Sequence, residues 1–168
     1  MLNSVIQDKI NEQINNEFFS SYSYLAMAAY CEFKQFYGCA KWLRMQSTEE
    51  HGHAMRLYDF ISSRGGRVLL KPITQPNGEF ESLLDVFENA LQQEKTVTAQ
   101  INSLCELAFR EKAFSALVEL EWFIREQVEE EKSARDILHK FKLIGDDPSS
   151  LLDLDRALGE RTPDDEAA

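Results

Sequence analysis

The sequence predicts an all-α fold: a four-helix bundle of two antiparallel helical hairpins, with a long crossover between the hairpins and a short fifth helix at the C-terminal end. Three observations predict it. Apolar residues recur at helical spacing through four long segments. Only a short break separates the two helices of each pair, and a long stretch without helical periodicity separates the pairs. A chain of 168 residues forms one domain with a substantial core and is too short for two comfortable ones.

The first predicted helix begins at about Ser4, taken as the N-cap with Gln7 as its capping-box partner, and continues to the break at residues 36–38. The second helix follows almost directly from about Cys39. It ends at Gly65, because two consecutive glycines stop a helix. So short a connection makes the first two helices antiparallel neighbours.

The connection between the hairpins is predicted at residues 65–81, which contain two prolines and an Asn-Gly pair and have no helical periodicity. Such a connection is long enough to cross the whole bundle. The third helix is then expected from about Ser82 to Arg110, and the fourth from about Ala113 to Phe141.

Residues 145–148 read Gly-Asp-Asp-Pro, which ends the fourth helix. A short fifth helix is predicted at about residues 149–158, and its leucines require an apolar partner. The remaining residues 162–168 are acidic and are predicted to be disordered. The folded domain is therefore expected to span residues 1–161.

The charge balance limits the partners of the protein. The formal net charge is -11, from 29 acidic and 18 basic side chains, so the chain repels nucleic acid and attracts cations. No run of 18 apolar residues and no apolar leader follows Met1, which predicts a soluble, cytoplasmic protein without a membrane partner. The three cysteines lack paired spacing and are expected to be reduced.

The most informative pattern in the chain is a spacing that occurs twice, 77 residues apart: one residue, a second 33 positions later, and a third 3 positions after that. The first copy consists of Glu17, Glu50 and His53, and the second copy consists of Glu94, Gln127 and Glu130. On a helical wheel all six lie on or near the apolar stripes of their helices. The pattern predicts that they meet at one level inside the bundle.

Four glutamates buried together require a neutralising partner. Two like charges about 4 Å apart repel by ~4 kcal/mol at an effective dielectric constant near 20, and desolvation adds to this cost. Protons would neutralise the carboxylates by raising their pKa values, but the histidine and the glutamine would then serve no purpose. One or two divalent cations would use all six groups. Carboxylate-rich ligation with a single imidazole favours iron or manganese over structural zinc.

Other residues on these helices have two interpretations each. Glu49, Glu126 and Glu129 lie about 100–160° away from the ligand positions on the helical wheel. They form either a solvated acidic face or a weaker neighbouring cation site. Tyr24 lies two turns along from Glu17 on the same stripe, so it either packs in the core or assists a metal site.

The sequence resembles a known family, the bacterial non-haem ferritins. The resemblance covers essentially the whole chain and rests on the run Glu-Glu-His-Gly-His at residues 49–53, the stretch from Trp122 to Lys132, the long crossover and the fifth helix. It implies a ferritin-like bundle with ferroxidase activity, in which Fe²⁺ is oxidised by O₂ or H₂O₂. It also implies a homo-oligomeric shell of 24 subunits that stores ferric mineral, with the fifth helix around a fourfold axis.

The resemblance further implies which residues hold iron. The first iron would be held by Glu17, Glu50 and His53, with Gln127 close by. The second iron would share Glu50 and be held by Glu94 and Glu130. A third iron would lie at Glu49, Glu126, Glu129 and Glu130, and Tyr24 would stand beside the centre.

The chain departs from related sequences at two places, which affect the expected haem content and the ligands of the second iron. Haem-binding relatives have a methionine directly after the bridging glutamate, where this chain has His51, so no haem is expected. Those relatives also have Glu-x-x-His where this chain has Gln127 and Glu130. The second iron would then be held by carboxylates alone and pass more readily towards the mineral.

Three other classes of protein remain open at this point. A di-iron oxygenase or peroxidase-like enzyme would require a substrate cavity or an electron-transfer module. A DNA-protecting mini-ferritin would assemble its iron site across a subunit interface and often carries a basic tail. A non-catalytic bundle would leave iron oxidation unaffected when Glu17 or His53 is removed.

Overall fold

The computed structural model describes residues 2–163. Within that range the chain forms five α-helices and no strand. The helices are α1 (Ser4–Phe33), α2 (Tyr37–Ser63), α3 (Leu83–Arg110), α4 (Phe114–Ile144) and α5 (Pro148–Gly159). α1 packs along α2 and α3 packs along α4, which gives the two predicted hairpins, and α1 also contacts α3. Most of the predicted tail, residues 164–168, lies outside the described residues.

The N-cap of α1 lies one residue earlier than predicted. The N-cap is Asn3, whose Oδ1 accepts a hydrogen bond from the Val5 N–H at 2.9 Å, so Ser4 is already helical. Gln7 is not a capping-box partner, because its Oε1 accepts from the Arg67 N–H instead, at 2.9 Å. The side chain of Gln7 therefore ties α1 to the crossover.

The first residues of the crossover lie against α1. Asn11, which is buried, donates from Nδ2 to the Arg67 carbonyl at 3.1 Å and accepts from the Leu69 N–H at 2.8 Å. A side-chain amide thus satisfies the backbone of an extended segment that has no strand partner.

The start of α2 depends on α5. α2 begins at Tyr37, two residues earlier than predicted, and Phe36 at its N-cap supplies no side-chain hydrogen bond. Asp155 of α5 caps the helix instead, because its Oδ1 accepts from the Cys39 N–H at 2.7 Å. A Cβ at Gly38 would lie 1.7 Å from the Asp155 carbonyl oxygen, so the close approach of α5 requires glycine there.

The apolar core consists of two clusters with a polar layer between them. Along α1, Ile14 belongs to one cluster and Tyr24 to the other, and the buried Glu17 lies between them in sequence. α5 adds Leu154 and Leu158 to the cluster that contains Tyr24, which gives the leucines of the fifth helix part of their apolar partner within the same chain. All three cysteines are free thiols, as expected.

Candidate metal centre

All six residues of the duplicated spacing are buried where the four long helices meet. Their exposed fractions range from 0 % to 6 %, for Glu17, Glu50, His53, Glu94, Gln127 and Glu130. The sequence-based prediction that these side chains point inward is therefore confirmed by their burial. Each interrupts an apolar helix face, so the core would exclude them unless they served one another or a ligand.

One half of the centre is formed by α1 and α2. Glu17, Glu50 and His53 each offer a ligand atom, and these atoms lie within 4.8 Å of one another. His53 Nδ1 lies 3.3 Å from Glu50 Oε2, and Gln13 Nε2 donates to Glu17 Oε1 at 2.8 Å. The remaining oxygens, Glu17 Oε2 and Glu50 Oε1, are buried and have no hydrogen-bond partner among the residues that the structure describes. Buried carboxylate oxygens without donors are costly, so both are available to a cation.

The other half centres on Glu94 of α3. The Tyr24 hydroxyl donates to Glu94 Oε1, and Gln127 Nε2 lies 3.2 Å from Glu94 Oε2. Gln127 Nε2 also lies 3.2 Å from the Glu94 carbonyl and from Thr98 Oγ1. Gln127 therefore contacts the carboxylate that the resemblance assigns to the second iron. Tyr24 packs in the core and also contacts Glu94, whereas its assistance to a metal site stays a prediction.

A second group of possible ligands shares His53 with the first. His53, Glu126 and Glu130 also offer ligand atoms within 4.8 Å of one another, and His53 Nε2 lies 4.0 Å from Glu126 Oε1. Glu130 Oε2 accepts from the buried Gln46 Nε2 at 2.8 Å. The sequence pattern did not predict that His53 would lie between the two groups.

The other acidic residues proposed for a third site are placed differently. Glu129 is exposed and belongs to neither group of possible ligands among the described residues. Glu49 is half-buried and forms an ion pair with Arg161, with Nη2 3.0 Å from Oε2. Sequence reasoning missed Arg161 and Gln46. Helical spacing alone could have indicated Gln46, because it lies one turn before Glu50 on α2.

Burial opposes the ionisation of the central carboxylates. Burial is the largest cause that raises the pKa values of the four glutamates, and neighbouring carboxylates also raise those of Glu50, Glu94 and Glu130. The pKa values of Glu94 and Glu130 rise to about 7. Burial, and then the nearby Glu94, also raise the pKa of Tyr24, so its hydroxyl remains a donor. The metal-free centre therefore resists full ionisation.

Aromatic rings hold His53 in place. Its imidazole contacts Trp122 edge to face at a centroid distance of 5.3 Å and Phe123 at 6.1 Å. The Arg56 guanidinium lies over the Trp122 ring, 4.2 Å from its centroid, and pairs with Glu119 at 2.5 Å. The orientation of the imidazole is thus set by packing before any ligand binds.

Comparison with known proteins agrees with the fold. The family model described as a ferritin-like domain matches residues 7–144. A bacterial non-heme ferritin of Staphylococcus saprophyticus is 38% identical over 165 residues, which cover 98% of this chain and 99% of the relative. A bacterial non-heme ferritin of Staphylococcus aureus strain USA300 is 35% identical over 166 residues, which cover 99% of this chain and 100% of the relative.

Solved structures give the same result. An open pore ferritin from the hyperthermophilic archaeon Archaeoglobus fulgidus superposes with a TM-score of 0.95 and 42% identity, over 96% of this chain and 100% of that chain. A humanized archaeal ferritin superposes with a TM-score of 0.95 and 43% identity, over 96% of this chain and 99% of that chain. Among the described residues, no helix has the length and apolar character needed to cross a membrane. The predicted ferritin-like bundle is confirmed, and the chain belongs to the ferritin family, whose members store iron.

Proposed function

We propose that the protein oxidises Fe²⁺ at the six-residue centre and stores the product as ferric oxyhydroxide mineral inside a shell of identical subunits. Iron is the substrate and the cargo, and no organic substrate is required. The observation that carries the proposal is a pair of buried carboxylate oxygens next to the His53 imidazole, Glu17 Oε2 and Glu50 Oε1, which have no hydrogen-bond donor within residues 2–163.

The donor set fits iron. Hard carboxylate oxygens with one imidazole suit Fe²⁺ and Fe³⁺, whereas structural zinc prefers cysteine and histidine in a closed tetrahedron. Protonation alone explains the site less well, because a proton satisfies one oxygen at a time and gives His53 no role. Family membership supports iron in particular.

In the proposed arrangement Glu17, Glu50 and His53 hold the first Fe²⁺, and Glu50 is shared with a second Fe²⁺ on Glu94 and Glu130. The contacts of Tyr24 and Gln127 with Glu94 support this assignment, because oriented ligands bind metal more tightly than mobile ones. A third, weaker iron position is proposed at Glu49, Glu126, Glu129 and Glu130. The nearness of Glu126 and Glu130 to His53 supports that position.

The redox step needs two irons at once. Each Fe²⁺ gives one electron, so two of them reduce O₂ to H₂O₂ with the uptake of two protons, and H₂O₂ can serve as the oxidant in a later turnover. The resulting Fe³⁺ ions are stronger Lewis acids, and water bound to them loses protons, which yields the hydroxide and oxide of a mineral. The excess of acidic side chains attracts further Fe²⁺ to the shell.

Exposed apolar side chains support a homo-oligomer. Phe109, Phe114 and Val118 surround the connection between α3 and α4 and are 65–73% exposed in the single chain. Leu70 on the crossover and Leu152 on α5 are 66% and 57% exposed. Such residues are typical of contacts between copies, and we propose a cytoplasmic shell of 24 subunits without haem.

The test is aerobic addition of Fe²⁺ to the metal-free protein. We expect a fast phase of two or three irons per subunit, followed by slower uptake of many more that remain soluble, in a particle of several hundred kilodaltons by gel filtration. Retention of only two or three irons per chain would exclude storage. Since one chain supplies all six residues, a site completed across an interface is not expected.

A further inference from the structure

Arg161 lies just beyond α5 and reaches back to α2 beside the candidate centre. Its guanidinium donates to both carboxylate oxygens of Glu49, at 3.0 and 3.1 Å, and to Gln46 Oε1 at 2.6 Å. It also lies over the Trp42 ring, 4.8 Å from the centroid. The Arg161 side chain is only 13% exposed and that of Glu49 only 20%. An arginine held by several contacts at such burial is fixed in place, unlike a surface arginine in water.

The same arginine is connected to the centre by hydrogen bonds. Gln46 accepts from Arg161 through Oε1 and donates to Glu130 Oε2 through Nε2 at 2.8 Å. Glu130 in turn offers a possible ligand atom within 4.8 Å of those of His53 and Glu126. Two hydrogen bonds in series therefore join the end of α5 to a proposed iron ligand.

Arg161, Trp42 and Glu130 line a cleft of about 780 Å³ between α4 and the segment that follows α5. Glu126, Glu129 and Glu130 line the cleft together with Arg161, so a fixed positive charge faces carboxylates suited to a cation. Both oxygens of Glu49 already accept hydrogen bonds from that charge. A divalent cation that takes Glu49 as a ligand must break those bonds and repel the guanidinium.

We propose that Arg161 is a built-in counter-cation of this cleft. It holds Glu49 while the weaker cation position beside the centre is empty, and it is displaced when a cation uses Glu49 as a ligand. Arg161 thereby lowers the affinity of that position, which keeps the bound cation exchangeable. This inference rests on the proposed iron centre, since the weaker position has a role only beside it.

The test is a calorimetric titration of the metal-free, assembled protein with Zn²⁺, a redox-silent probe. Wild type, Arg161→Ala, Arg161→Lys and the control Arg156→Ala are compared, since Arg156 lies on the exposed side of α5 and pairs with Asp153. In Arg161→Ala we expect the weakest binding class to tighten by about five- to tenfold, the scale of one partly exposed ion pair. Arg161→Lys keeps the charge but loses the bidentate contact with Glu49, so its affinity for the weakest class should lie between those of wild type and Arg161→Ala. Arg156→Ala should match wild type.

The outcomes separate the two proposals. If wild type has the tight Zn²⁺-binding classes but the affinity of the weakest class is unchanged or lower in Arg161→Ala, the proposal that Arg161 is a counter-cation is wrong. If wild type has no tight class at all, the proposed iron centre fails instead.

A second measurement keeps Arg161 in place, in case its loss disturbs folding. In a Trp122→Phe background, Trp42 is the remaining tryptophan, and its emission should change as the weakest Zn²⁺ class fills, because the guanidinium leaves its ring. Constant emission through that part of the titration contradicts displacement.

Discussion

The Tyr24 hydroxyl on α1 donates a hydrogen bond to the carboxylate of Glu94 on α3, and both side chains are fully buried. The contact joins the two hairpins at the level of the centre. It leaves the other oxygen of Glu94 in contact with Gln127, and so orients the one carboxylate that α3 contributes to the centre.

Tyr24→Phe should therefore slow the fast phase of Fe²⁺ oxidation by about 10-fold or more without preventing assembly. The ring still fills its place in the core, but Glu94 loses an orienting donor, and loss of such a donor typically weakens metal binding or activity about 10- to 100-fold. Stopped-flow absorbance after aerobic mixing measures the rate. Tyr22→Phe, on the half-exposed face of the same helix, serves as the control and should match wild type.

Glu50→Gln should cost more than Glu17→Gln, because Glu50 is proposed to serve both irons. Fast oxidation should fall by at least about 100-fold in Glu50→Gln, since no second carboxylate can replace a shared ligand. The number of irons oxidised in the first seconds checks this, with Glu121→Gln on the exposed face of α4 as the control. Equal effects of Glu50→Gln and Glu17→Gln would argue against a shared ligand, and Glu121→Gln should match wild type.

The sequence predicted the six central residues because each interrupts an apolar helix face at a spacing that occurs twice. Such a pattern can be read from the sequence without any tertiary contact. It misplaced the cap of α1, because Asn3 and Ser4 are both good caps and only the geometry selects the earlier one. It missed the pair of Glu49 and Arg161, which are 112 positions apart. Their contact depends on where α5 packs, and no local pattern encodes that position.

The metal-free protein should be less stable at pH 8 than at pH 5. Burial raises the pKa values of Glu94 and Glu130 from 4.5 to about 7 in the folded state, so the folded protein binds more protons than the unfolded chain in this range. The stabilisation is fully present below pH 4.5 and is lost as the pH rises through about 7. Thermal unfolding of the metal-free shell at several pH values measures it.

A double variant and a metal ion provide the controls for this pH dependence. Glu94→Gln/Glu130→Gln removes two of the titrating groups and should make the decline in Tm between pH 5 and pH 8 less steep. Anaerobic Fe²⁺ should restore stability at pH 8, because the ion binds the ionised carboxylates of the folded state. A decline that is equally steep in the double variant would assign the effect to the net charge instead.

Two glycines of α2 should respond in opposite directions to the same substitution. Gly38→Ala places a Cβ against the Asp155 carbonyl, which cannot move without shifting α5, so we expect a loss of about 1–3 kcal/mol in the free energy of unfolding. Gly52→Ala meets open space in the middle of the helix and should gain about 0.5–1 kcal/mol. Denaturant unfolding of the metal-free protein compares the two.

The same pair of variants also tests how α5 is attached. If Gly38→Ala loosens α5, the bond from Asp155 to the Cys39 N–H and the pair of Arg161 with Glu49 should weaken together, because both depend on the position of that helix. The amide of Cys39 should then exchange hydrogen faster in Gly38→Ala than in wild type or in Gly52→Ala. Unchanged protection at Cys39 alongside a lower stability would mean that α5 stays in place and that the strain is absorbed within α2.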